Sequence, residues 1–151
     1  MRRLRWWWGP VLLGGLIMLV GRADGFRQVP TKEQVDAYEQ ERLDWVRKGE
    51  ALWHAEPHPV DRPDLKVPSN GSTVGMACAM CHPDAADTNP ETWPKYALQL
   101  SKVATLREQI NWCVTRQLRA PALAADSEQM LAYEAFIMHW NKGKALDPGR
   151  H

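Results

Sequence analysis

Apolar positions recur at helical spacing in three stretches of the chain. The first is TKEQVDAYEQERLDWVRKGEALWHA, residues 31–55, which holds no proline and is rich in good helix formers. Val35, Tyr38, Leu43, Val46, Leu52 and Trp53 form an interrupted apolar stripe along it, and Thr31 is placed to cap its start with Glu33 close behind. The second is TLREQINWCVTRQL, residues 105–118, where Leu106, Ile110, Cys113 and Val114 share one face. The third, SEQMLAYEAFIMHW, runs to about Trp140 and takes Asp126 or Ser127 as its cap. Residues 56–75 carry four prolines and two glycines and read as a loop. Residues 83–94 and the turn RAPALAAD are rich in turn residues, and the tail NKGKALDPGRH is irregular. No run alternates convincingly with period two, so the expected class is all-α.

Composition changes this picture at one end only. The chain has 151 residues, 44% hydrophobic and 25% charged, enough for one domain plus a targeting segment. Arg2, Arg3, Arg5 and Arg22 lie in the first 23 residues, which hold no acid. Arg2, Arg3 and Arg5 precede an apolar run from Trp6 to Val20, and the small residues of Gly21-Arg22-Ala23 make a tolerable cleavage site. The run is shorter than the roughly 20 residues that span a bilayer comfortably, but its tryptophans suit the headgroup level. Residues 1–23 are expected to be a signal peptide or an uncleaved membrane anchor, and residues 24–151 an exported, periplasmic domain, soluble or tethered. Without the leader the balance is 15 basic against 18 acidic residues. No basic patch remains that argues for nucleic acid.

The chemistry is concentrated in VGMACAMCHPD, residues 74–84. Cys78-Ala-Met-Cys81-His82 is the c-type haem attachment signature. Two intervening residues put the sulfurs one turn apart, where each can form a thioether with a haem vinyl group, and the next residue can offer its imidazole to the iron. A thioredoxin-like pair expects a βαβ setting, which the pattern lacks, and zinc needs further ligands at short spacing. One covalent haem c is therefore expected, inside a cytochrome c-like helical domain. In such domains an N-terminal helix crosses the C-terminal one closely. Gly49 and Trp53 in the first helix, with Tyr133 and Phe136 in the last, can make that crossing.

The other face of the iron needs a side chain or an open site. Cys113, Met130, Met138 and His139 are the downstream candidates. A lone thiol in an exported protein is a liability, although small buried cysteines are common. Cys113 lies on the apolar face of its helix, and Arg116, one turn on, favours a thiolate there. Met76 and Met80 flank the motif and are expected near the haem edge. His54 and His58 read as structural or surface residues, and His139 as a residue of the helix C-terminus.

The segment from Cys78 to Trp140 resembles the haem-binding part of thiosulfate dehydrogenases and of the SoxA subunit of SoxAX cytochromes. The CxxCH, the WPKY, the TLREQINWC block and the DSEQMLAYEAFI helix carry the resemblance. It implies that Cys113 is the second axial ligand beside His82, with Met130 the main rival. The family is typically built from two such haem domains, whereas this chain has one CxxCH. The interval from motif to cysteine is also shorter, and Gln109 and Trp112 stand where the family usually has Arg and Gly. The expected function is a monohaem electron carrier in an exported or membrane-attached respiratory, photosynthetic or sulfur-oxidation chain. It would serve a redox partner or a larger complex. The alternative is a catalytic haem subunit oxidising thiosulfate or a related sulfur compound, with Cys113 and Arg116 as its catalytic residues. A gas-binding or sensing haem protein needs an open sixth position and ranks last.

Overall fold

In a computed structural model of the protein, residues 29–85 and 87–145 are described. The chain divides after Thr31, and the unit from Lys32 onward carries the elements below. The expected signal peptide or anchor over residues 1–23 lies outside the described residues, as does the end of the tail, 146–151. Among the described residues no helix is long and apolar enough to cross a membrane.

Three helices form where the helical spacing places them: α1 at Lys32–His54, α2 at Leu106–Arg116 and α3 at Glu128–Asn141. The start of α2 is a full capping box. Thr105 Oγ1 accepts from the Glu108 backbone N–H while the Glu108 carboxylate accepts from the Thr105 N–H at 2.8 Å. Ser127, one of the two residues expected to cap α3, does so by accepting from the Met130 N–H.

The core is the crossing of α1 over α3. Gly49 sits at the point of closest approach. A Cβ there would lie 2.1 Å from the Ala132 carbonyl oxygen and 2.6 Å from Phe136 Cβ, so a bare backbone is what lets the helices touch. Trp53, one turn on, lies 5.6 Å from Phe136 with the rings tilted by 50° and meets Tyr133 edge-on at 6.2 Å, filling the notch that Gly49 opens. The stripe on α1 behaves differently in its two halves. Val46, Leu52 and Trp53 are buried, whereas Val35 and Tyr38 are exposed, because α3 covers only the C-terminal turns of α1.

Helices α2 and α3 are joined by polar contacts. Arg107 donates to both Glu134 oxygens at 2.8 Å and to the Ala125 carbonyl at 3.0 Å. Asn111 clamps the backbone of Leu123 through both ends of its amide, at 2.9 and 2.7 Å. Those two residues of the TLREQINWC block fix where α2 lies, and with it Cys113.

One expectation needs correction. A short antiparallel hairpin pairs β1, Lys95–Ala97, with β2, Lys102–Ala104, in the register Tyr96 opposite Val103. Each strand has three residues, too few to show an alternation, and Ser101 closes the turn between them at φ +54°. The class remains helical.

Candidate functional site

The motif forms a tight turn. Cys81 and His82 both donate their backbone N–H to the Cys78 carbonyl, at 3.1 and 3.0 Å, so the spacing of the motif is realised as one turn of chain. Both flanks are fixed. Upstream, Asn70 Nδ2 donates to the Met76 carbonyl at 3.0 Å, and the Met76 N–H donates to Ser72 Oγ at 2.9 Å. Downstream, Trp53 Nε1 on α1 donates to the His82 carbonyl at 2.6 Å. The helix crossing and the motif are thus tied by one indole.

The motif opens onto a cavity of about 460 Å³, within the ~300–1,000 Å³ of cofactor sites. Cys78, Cys81 and His82 line it from the turn. Gln109 and Cys113 line it from α2, Trp93 and Tyr96 from the hairpin side, Trp53 from α1 and Tyr133 from α3. None of the three cysteines is in a disulfide. Among the described residues no three His, Cys, Asp or Glu side chains gather as a metal-ion site.

Burial sets the thiols of Cys78 and Cys113 apart from solvent chemistry. Burial pushes the Cys78 thiol up to about 12, although Tyr133 beside it pulls the other way. Burial also raises the Cys113 thiol, partly offset by Gln109, whose Nε2 donates to the sulfur at 3.9 Å. Gln109 is itself held by Gln99 Nε2, which donates to its carbonyl oxygen. The imidazole of His82 is engaged by Asp87. Nδ1 lies 3.0 Å from both carboxylate oxygens, and since a carboxylate only accepts, Nδ1 carries the proton and Nε2 is the nitrogen left free.

One further donor is orphaned. Trp93 Nε1 is buried, belongs to a residue that lines the cavity and has no hydrogen-bond partner, whereas the Tyr133 hydroxyl bears on the Cys78 sulfur. Buried donors without partners are rare in native interiors.

The remaining expected site residues lie elsewhere. Arg116 is exposed and does not line the cavity, where Lys95 is the one Lys or Arg among the described residues. Lys95 Nζ stands over the Trp93 ring at 5.0 Å. Met130 is fully buried in the hydrophobic core and does not line the cavity. Met138 is exposed, and His139 Nδ1 sits 3.4 Å from Arg42 Nη1. Met76 lines the cavity, whereas Met80 points to solvent. His58 contacts the neighbouring Pro59 carbonyl at 3.2 Å, and His54 borders a separate small hollow with Glu50 and Asp61. Sequence reasoning passed over Asp87 and Asn141, and it quoted the WPKY motif without assigning a role to the Trp93 indole.

The turn, the cavity and the helices around them define a class. A family model described as SoxA/TsdA, cytochrome c domain, matches residues 69–146, and the chain belongs to that family. It is 30% identical over 114 residues to the L-cysteine S-thiosulfotransferase subunit SoxA of Rhodovulum sulfidophilum, an alignment covering 73% of this chain and 34% of that protein. The chain thus spans about a third of the length of that relative.

A cytochrome c domain implies haem c. The residues here fit that group on three counts: two sulfurs and an imidazole at attachment spacing, an apolar cavity of suitable volume, and an orphaned indole N–H on the lining residue Trp93.

Proposed function

We propose that residues 24–151 form a monohaem cytochrome c that carries electrons in the oxidation of an inorganic sulfur compound, exported from the cytoplasm behind residues 1–23. The observation that carries the reading is the convergence of Cys78, Cys81, His82 and Cys113 on a single cavity. Bound haem c supplies a one-electron couple; the chain attaches, orients and insulates it. Cys78 and Cys81 are the thioether sulfurs. His82 presents Nε2 because Asp87 occupies Nδ1, and Trp53 holds the His82 main chain. Cys113 would hold the iron together with His82; burial raises its thiol, so the sulfur is protonated in the absence of the metal. Gln109 donates to that sulfur. Ile110, Val114 and Ile137 would exclude water, and Trp93 would offer its indole N–H to an acceptor of the group.

The carrier reading is favoured over a catalytic one by the charge of the cavity. Thiosulfate is a dianion, and Lys95, held over the Trp93 ring, is the single Lys or Arg of the lining among the described residues, while Arg116 lies exposed outside it. The similarity to a protein named as a subunit supports a partner protein. Low-temperature EPR of the oxidised protein tests the ligand set. A thiolate-type low-spin signal, lost in Cys113→Ala, is expected; a His/Met signal contradicts Cys113. Thiosulfate with ferricyanide tests the role: no turnover is expected, and sustained turnover contradicts the carrier reading.

A further inference from the structure

Asp87 lies five residues beyond His82, outside the attachment motif, yet both of its oxygens reach His82 Nδ1 at 3.0 Å. The loop between them is anchored rather than free. Asn141, buried in the last turn of α3, donates Nδ2 to the Ala85 carbonyl at 2.8 Å and to Thr88 Oγ1 at 3.2 Å. Thr88 Oγ1 in turn donates to the Ala85 carbonyl at 2.6 Å, and Ala85 is wholly buried. Asp87 therefore sits between two residues that α3 pins, while Trp53 pins His82 itself. The carboxylate and the imidazole are brought together by anchors from two separate helices, α3 and α1.

An iron-bound histidine needs an acceptor for its second nitrogen, and a backbone carbonyl or water suffices. This chain uses an anion instead. Resting on the haem reading above, we propose that Asp87 is a positioning residue that fixes the His82 tautomer and ring and, through its charge, shifts the iron toward the ferric state. The N–H···carboxylate bond draws the Nδ1 proton away from the ring, which makes Nε2 a stronger donor. Donation and negative charge both favour Fe(III) over Fe(II). The Asp87 side chain is 65% exposed, so water screens the through-space part and the directional hydrogen bond carries most of the effect.

The test uses the full chain matured in a host that attaches haem c, as wild type, Asp87→Asn, Asp87→Glu and Asp84→Asn. Intact mass and the reduced pyridine spectrum first establish covalent haem in the wild type. Midpoint potentials are then read by spectroelectrochemistry, which reports only on haem-bearing molecules even where loading is incomplete. Asp87→Asn keeps an acceptor but loses the charge. It is expected to shift the ferric–ferrous equilibrium about tenfold toward the ferrous side, which is about 59 mV for one electron, with changed EPR g-values. Asp87→Glu is expected to return the potential toward wild type. Asp84→Asn removes an exposed charge from the same loop and is expected to leave the potential in place. A haem-loaded Asp87→Asn within twofold of wild type overturns the proposal, as does an equal shift in Asp84→Asn. A wild type without covalent haem overturns the haem reading itself, and the two failures are told apart at the mass measurement.

Discussion

At the residue scale, the proposed ligand set turns on Cys113 and its neighbours on α2. Under that proposal Gln109 would work in the opposite direction to Asp87, because a sulfur that accepts a hydrogen bond donates less to iron. Replacing it by Gln109→Leu is expected to lower the potential, by about fivefold in the equilibrium if the bond is worth ~1 kcal/mol; spectroelectrochemistry against wild type checks this. Gln99→Leu, which frees the far end of the relay, is expected to shift it in the same direction by less. That Cys78, Cys81 and His82 share one turn and one cavity was legible in the sequence, because the spacing of the motif fixes it. Asp87 was not, since any acceptor could reach Nδ1 and only the Asn141 anchor settles which one does. Arg116 illustrates the converse. Its helical spacing from Cys113 left it free to share the cavity, yet its side chain is exposed.

At the element scale, the crossing of α1 and α3 is the most constrained feature. Gly49→Ala would drive a methyl group into the Ala132 carbonyl oxygen, a backbone atom with nowhere to move. A loss of about 3 kcal/mol is expected, read as a lower denaturant midpoint of the haem-loaded protein; an unchanged midpoint would show that the helices separate freely. This crossing could be read from sequence because a glycine and an aromatic one turn apart have a physical reason to face an aromatic pair. The exposure of Val35 and Tyr38 could not, because periodicity marks a face without saying how far along a helix its cover extends. The start of α2 predicts a pH response. Lys102 first, then the Thr105 N–H, hold the Glu108 carboxyl at about 2, below its ordinary 4.5. A lowered folded-state value means that the contribution is complete above pH 4.5 and disappears as pH falls through about 2. Melting curves of wild type and Glu108→Gln are therefore expected to converge over that window, and a constant difference would contradict the capping-box reading.

At the scale of the whole molecule, the family match begins at residue 69, after α1, yet α1 supplies the indole that ties the motif down. The first helix is thus part of the haem domain although the matched segment does not include it. Trp53→Phe keeps the packing and removes the N–H. It is expected to cost about 1 kcal/mol and to lower haem attachment, measured as the haem-to-protein ratio after maturation. The hairpin and the anchored 83–94 loop close the cavity with strands too short and turns too irregular for a sequence pattern to reveal.

Intact-mass spectrometry of the protein, made in a host with haem c maturation machinery, tests the central claim most directly. The account predicts a polypeptide heavier by one haem, with the added mass held on the peptide that contains Cys78 and Cys81 and lost when both are replaced by alanine. A mass equal to that of the amino acids alone would contradict it.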